Sequence, residues 1–298
     1  MNGIPAVYSY ICKSNAKIIN LFDMKTFQWI LALMAAAMLL AACGPKKQSP
    51  KVLVLYYSQT SHTRTVAQEI QKALGADMEE ILPVVPYDGT YQETIARSGK
   101  EREEGTLPEI QPLKADVAQY DIIFIGYPVW FGTYALPVGK LLNQVDFSGK
   151  KLVPFCTFGS GGLSTSAADM AARQPAAKVM PGYGVRAARM DAVPAEVDFF
   201  LKSNGYLQGE YTKLEEFPAQ HPVSEEESAI FAAAVGSYPM IQAQPTEVAS
   251  RSVPGGMEYL FTAQSKPREG MPAFGPMEMK VYVLVADGQE PVFTQVVR

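Results

Sequence analysis

Three short stretches hold the residue types best suited to gripping a ligand. Residues 58–63 read SQTSHT, residues 126–133 read GYPVWFGT, and residues 157–162 read TFGSGG. The first sets hydroxyls at Ser58, Thr60, Ser61 and Thr63 just ahead of a stretch with helical spacing. A helix start offers unpaired backbone N–H groups and the positive end of the helix dipole. With neutral hydroxyl donors added, it can wrap a phosphate. The same residues also suit an ordinary helix cap, and the stretch alone does not choose between the two. No Gly-Lys-Thr is present for a β/γ-phosphate, and no GxGxxG for a dinucleotide turn. A phosphate monoester is the ligand these donors fit.

In the second stretch, Pro128 restricts the chain as it leaves an apolar run, and Trp130 and Phe131 follow, with Gly132 free to turn tightly. Aromatic residues there suit either packing or stacking on a flat cofactor. The third stretch has three glycines and a serine, so its backbone can come close to a ligand and offer N–H groups.

The elements around them explain why the three could meet. KVLVLYY (51–57), DIIFIGYPVW (121–130) and KLVPFCTF (151–158) are apolar runs expected of strands covered on both faces. Residues 63–74 place Val66, Ala67, Ile70, Ala73 and Leu74 on one stripe of a helix. Residues 76–83 read as a second strand, and 84–115 as a polar loop with at most one short helix. Helices are expected over 136–145, 164–172 and 193–206, and a last strand over 177–188. Such β/α alternation implies a parallel sheet with helices on both faces. Ligands bind such sheets beyond the strand carboxyl ends, where all three stretches fall.

With these elements in place, the sequence resembles the flavodoxin-like family over about residues 51–206. SQTSHT after KVLVLYY, GYPVWFGTYALP after DIIFI, and TFGSGG after KLVPF are similar to that family's three flavin-contacting loops. The resemblance implies a three-layer sandwich with a five-stranded parallel sheet in order 2-1-3-4-5, and FMN at the strand ends. Carried onto this chain, Ser58, Gln59, Thr60, His62 and Thr63 would hold the phosphate. Pro128, Val129, Trp130, Phe131 and Gly132 would flank the isoalloxazine ring. Thr157, Phe158, Gly159, Ser160 and Gly162 would line its other side and reach its polar edge. Many relatives have glycine where Ser61 stands, and asparagine where His62 stands. The family includes electron carriers and NAD(P)H-dependent reductases of quinones or similar acceptors, so a redox partner of that kind is implied. Hydride and electron chemistry belong to the flavin, so no catalytic side chain is required. No metal site is read.

The remaining segments set the context. Hydrophobic residues make up 48 % and charged residues 19 % of the 298, with net charge −4. Basic residues do not cluster, which argues against a nucleic-acid partner. Residues 27–42 are apolar apart from Gln28, preceded by Lys25 and followed by Cys43. This pattern is that of a secretory signal. LAAC resembles the lipobox of bacterial lipoproteins, which implies cleavage before Cys43 and acylation of its thiol. The expected location is therefore the bacterial envelope, lipid-anchored and facing the periplasm. Met24 is the expected start, with 1–23 upstream of it. Loss of 1–42 removes Lys13, Lys17, Lys25 and Asp23, leaving about −6. Cys156 is then alone in the body and is expected to be a buried small hydrophobe.

Residues 43–50 read as a tether, 51–210 as the first domain and 211–222 as a linker. In the linker, His221 is expected to be solvated. Residues 223–298 read as a small α+β domain. A capping box, Ser224 to Glu227, opens its helix, and four β-rich runs follow, with Asp287-Gly288 as a hairpin turn. This part resembles the cystatin-like fold, although Arg251 stands near where a cystatin's glutamine is expected. It is read as a docking or dimerisation module. The alternative for the whole chain is a non-catalytic binding protein with a degenerate flavin site.

Overall fold

The computed structural model describes residues 49–298 except 237, 239, 240 and 266–276. The expected signal, Cys12 and the expected lipid site Cys43 lie outside the described residues.

Strand β1 (Val52–Tyr56) runs into helix α1 (His62–Leu74), then β2 (Asp77–Glu80), helix α2 (Tyr91–Glu103) and β3 (Ile122–Trp130). After β3 come the two-residue β4 (Thr133–Tyr134), α3 (Leu136–Gln144), β5 (Lys151–Phe158) and α4 (Leu163–Arg173). The pieces β6 (Lys178–Val179) and β7 (Tyr183–Arg186) and helix α5 (Val193–Ser203) complete the unit. β2, β1, β3 and β5 lie side by side in parallel, and β6 and β7 both pair with the outer edge of β5. Counting β6 and β7 as one interrupted strand, this is the expected order 2-1-3-4-5, and the fold is flavodoxin-like.

Alternate residues of the central strands feed two apolar layers. Leu53, Leu55, Ile123, Ile125 and Leu152 face Val138, Leu141 and Met170 of α3 and α4. Val54, Phe124, Val153 and Phe155 face Val66 and Ile70 of α1 and Val197 and Leu201 of α5. Each such fully buried side chain contributes about 1.5–3 kcal/mol. Cys156 is fully buried in this core, and burial pushes its thiol well above the usual range.

Three expectations are corrected. Segment 84–115 contains a 13-residue helix, α2, held at its start by a capping box in which Thr90 and Glu93 bond each other's backbone. The last strand is broken into β6 and β7 around Pro181, which has no N–H to give the ladder, and Gly182, where a Cβ would run into the Pro154 carbonyl. The strand expected over 121–130 forms as β3, which runs through Pro128–Trp130 and folds back as β4. Helix α5 ends at Ser203, three residues before the expected 206.

The C-terminal part is an antiparallel sheet of β8 (His221–Pro222), β9 (Ala243–Val253), β10 (Gly256–Ser265), β11 (Glu278–Ala286) and β12 (Val292–Val297), with helix α6 (Glu225–Val235) against it. Five strands form where four were expected, because His221 and Pro222, read as linker, pair with Val248 and Glu247. His221 is exposed on one side and lies 3.5 Å from Glu227. Phe231, Phe261, Val281 and Phe293 form the centre of this core. Arg251 is occupied structurally: it donates to Glu258 at 2.7 and 2.8 Å and to the Glu215 carbonyl at 2.9 Å.

Candidate functional site

The parallel strands bring the three stretches to one edge of the sheet. β1, β3 and β5 run in register, with Tyr56 beside Gly126 and Gly126 beside Phe155, so each strand delivers its following residues to the same side. A cavity of about 400 Å³ opens there. Its walls include Gln59, Thr60, His62, Pro128, Val129, Trp130, Phe131, Thr157, Phe158 and Gly159. This volume is within the usual range for small-molecule sites.

At the phosphate-type end, Ser61 is the N-cap of α1, makes no side-chain capping bond, and is followed by a first turn without an acidic residue. No acidic residue of that first turn therefore competes for this helix end. Ser58 turns inward to accept from the Arg64 N–H at 3.2 Å. Thr60 and His62 are hydrogen-bonded to each other at 3.3 Å on the open side. Thr63 is buried and bonds the Thr157 hydroxyl at 2.8 Å, tying the first loop to the third. Gln59 donates to Thr94 at 2.7 Å and to the Tyr87 carbonyl at 3.2 Å, so its amide fastens the loop to α2. Of the five residues carried over as phosphate holders, Gln59, Thr60 and His62 line the cavity, while Ser58 and Thr63 brace the loop from behind.

Ser61 stands at φ 67°, in the left-handed region. A side chain there costs about 1–2 kcal/mol, against the roughly 0.5–1 kcal/mol of extra chain entropy that glycine loses. Ser61→Gly is therefore expected to stabilise the protein by about 0.5–1 kcal/mol, read as a rise in urea midpoint. A fall in midpoint would contradict this backbone assignment.

The aromatic wall differs from the simple expectation. Trp130 packs edge-to-face on Tyr57 (5.7 Å between centroids) and Tyr87 (5.1 Å), which fixes its orientation. Phe131 is half-exposed at the rim and stands at φ 50°, followed by Gly132 at φ 85°. Two successive positive φ values joining β3 to β4 make a type I′ turn, where asparagine and glycine are usual. A phenylalanine held in that conformation is an outlier of the kind that marks functional loops. Gly162 (φ 125°) has no room for a Cβ against the Val129 side chain. Ser160 and Gly162 line an adjoining cavity rather than this one.

Sequence reasoning missed the helical wall. Tyr91, Thr94, Ile95 and Ser98 of α2 close the cavity from above, and Ala187 closes it behind Gly159. The signal that could have found α2 was Thr90 followed three residues later by Glu93. Arg97 is held over the Tyr87 ring at 3.8 Å and pairs with Glu101 at 2.9 Å. The Tyr87 hydroxyl also bonds Glu101, and burial first, then that carboxylate, push the phenol well up.

Fold and cavity together define a class: a doubly wound α/β protein of flavodoxin-like architecture, with its cleft at the strand carboxyl ends. A family model described as flavodoxin matches residues 51–195, just under half the chain, and the expected FMN goes with that match. Two curated relatives, each described as an NAD(P)H dehydrogenase (quinone), are similar over 99 residues. They come from Gluconacetobacter diazotrophicus (33 % identical) and Acidovorax ebreus (32 %). The alignment takes in 32 % of this chain and 46 % of each relative, so the chain spans about half their length. Among solved structures, a candidate flavoprotein from Bacteroides eggerthii is 28 % identical with a TM-score of 0.44, covering 50 % of this chain and 97 % of that one. A flavoprotein in complex with FMN from Lactobacillus acidophilus is 24 % identical with a TM-score of 0.42, covering 46 % and 93 %.

Proposed function

We propose that this is an FMN-binding redox protein of the bacterial cell envelope, anchored through an acylated Cys43 and working as an electron carrier or an NAD(P)H-linked reductase. The observation that carries the reading is the convergence of all three loops on one cavity at the strand carboxyl ends. The residues present fit FMN. The start of α1, where the N-cap Ser61 makes no side-chain bond, with Thr60 and His62 beside it, suits a dianionic phosphate. Trp130 and Phe131 offer apolar walls to a flat ring. The glycine loop lets backbone groups approach the ring's polar edge. When bound, FMN would supply the hydride and electron chemistry, and the chain's task is to bind it, orient it and limit access to it.

The relatives' names support a nicotinamide donor and a quinone-like acceptor. The rival reading, a binding protein with a relic cradle, drew its support from Ser61 in place of glycine. Ser61 adopts the left-handed angle all the same, which favours a working cradle. The test is an absorbance spectrum of purified protein titrated with FMN, followed by anaerobic addition of NADH and NADPH. Expected are uptake of flavin with quenching of Trp130 fluorescence, then bleaching by one of the two donors if it is a reductase. Absence of uptake at tens of micromolar FMN would refute the reading.

A further inference from the structure

The C-terminal sheet is fastened to the glycine loop. The Val296 N–H donates to the Ser160 carbonyl at 2.6 Å. Gly161 lies so close that an added Cβ would run into the Val296 carbonyl oxygen. Arg186, at the end of β7, donates from Nε to the Gly159 carbonyl at 2.9 Å and from Nη1 to the Phe293 carbonyl at 3.0 Å. Its guanidinium also sits 3.5 Å from the centroid of the Phe293 ring.

This contact creates a second cavity, of about 500 Å³, beside the first. The two share Tyr91, Val129, Phe131 and Gly159, so a molecule in one lies against the contents of the other. The far wall of the second is C-terminal: Tyr238, Gln295 and Val297. A β-bulge between β11 and β12 makes this possible. The register shifts at Tyr282/Val283, so that Phe293 and Val296 both turn into the C-terminal core, and Gln295 and Val297 are left facing the cavity. Arg102 also lines it and makes no ion pair among the described residues. One of its N–H groups reaches the Phe131 carbonyl at 3.4 Å.

We propose that this second cavity is the acceptor site, that it takes a flat carbonyl-bearing ring of the quinone class, and that the C-terminal domain selects it through Gln295 and Val297. The inference rests on FMN occupying the first cavity. Tyr91, Phe131 and Tyr238 supply surfaces for a planar ring. Arg102 supplies N–H donors for a carbonyl oxygen that gains negative charge on reduction. With reduced FMN bound in the first cavity, the ring would receive a hydride from the flavin and one proton from solvent, so that both carbonyl oxygens become hydroxyls and the flavin is left oxidised.

The test is a binding titration, with both partners oxidised so that no reaction occurs. Menadione is added to the FMN-loaded protein, and the shift of the visible flavin band is followed. Gln295→Trp, which fills the cavity, is expected to weaken menadione binding at least tenfold while leaving the FMN dissociation constant within about twofold. Val297→Phe, a smaller change at the other end of the wall, is expected to act in the same direction. Menadione binding unchanged in a folded variant, or no menadione binding by the FMN-loaded wild type, would overturn the acceptor site while leaving the FMN reading intact. A wild type that takes up no FMN would overturn both.

Discussion

Thr60→Asp should have opposite effects on the protein with and without flavin. In the FMN-free protein the new carboxylate stands one residue before the N-cap of α1, whose first turn has no acidic residue. A negative charge at a helix start is worth about 0.3–1 kcal/mol, so the urea midpoint should rise slightly. With FMN present, the same carboxylate faces the phosphate. Two unit charges about 4 Å apart near a protein surface repel by roughly 4 kcal/mol, and each 1.4 kcal/mol is about tenfold in affinity. FMN binding should fall by at least about a hundredfold, and less so at high salt, which screens the repulsion. Thr60→Val, which removes only a neutral donor, should weaken binding by no more than about tenfold. The pair of measurements is a fluorescence titration and a urea melt. Undiminished FMN binding by Thr60→Asp would mean that the phosphate sits elsewhere. An unfolding free energy lower by several kcal/mol would mean that Thr60 is structural.

The parts of this site that could be read from sequence are those in which side-chain pattern and backbone geometry agree. KVLVLYY, DIIFI and KLVPF are apolar because both faces of their strands are covered, so the sheet and its carboxyl edge were legible. The loops were legible because hydroxyls and glycines after an apolar run have few other uses. Helix α2 was not, because its buried face presents Thr94 and Ser98 rather than large apolar residues. Hydrophobic periodicity cannot reveal a helix whose inner face is polar, and only the Thr90–Glu93 capping box marked it. The roles of Ser58 and Thr63 were half legible. Their hydroxyls were read as ligand donors, yet one is used by the Arg64 N–H and the other by Thr157. The docking of β12 on the glycine loop left almost no trace, since it joins the Val296 N–H to the Ser160 carbonyl, groups that every residue except proline carries.

Gly126 carries the largest stability prediction. It lies in the interior of β3, paired with Tyr56 on one side and Phe155 on the other, and its carbonyl accepts from the Tyr57 N–H at 2.9 Å. Glycine normally weakens a strand interior. Here it is required because the fully buried Phe155 ring lies across the place a Cβ would occupy. Gly126→Val must therefore displace that ring within a close-packed layer, at a cost of about 3 kcal/mol, the upper end of what overpacking usually exacts. Phe155→Leu alone removes part of a large buried side chain and should cost roughly 1–2 kcal/mol. Because the two side chains would compete for one space, the double variant should be more stable than the sum of the single effects implies. A coupling of about 1–2 kcal/mol in a urea double-mutant cycle is the expected value. Additive effects would show that the ring does not need the glycine. Two residues beyond this pair, β3 and β5 deliver Pro128 and Thr157 to the cavity wall. FMN affinity should consequently fall in Gly126→Val and recover partly in the double variant, which ties the packing of the sheet to the geometry of the cleft.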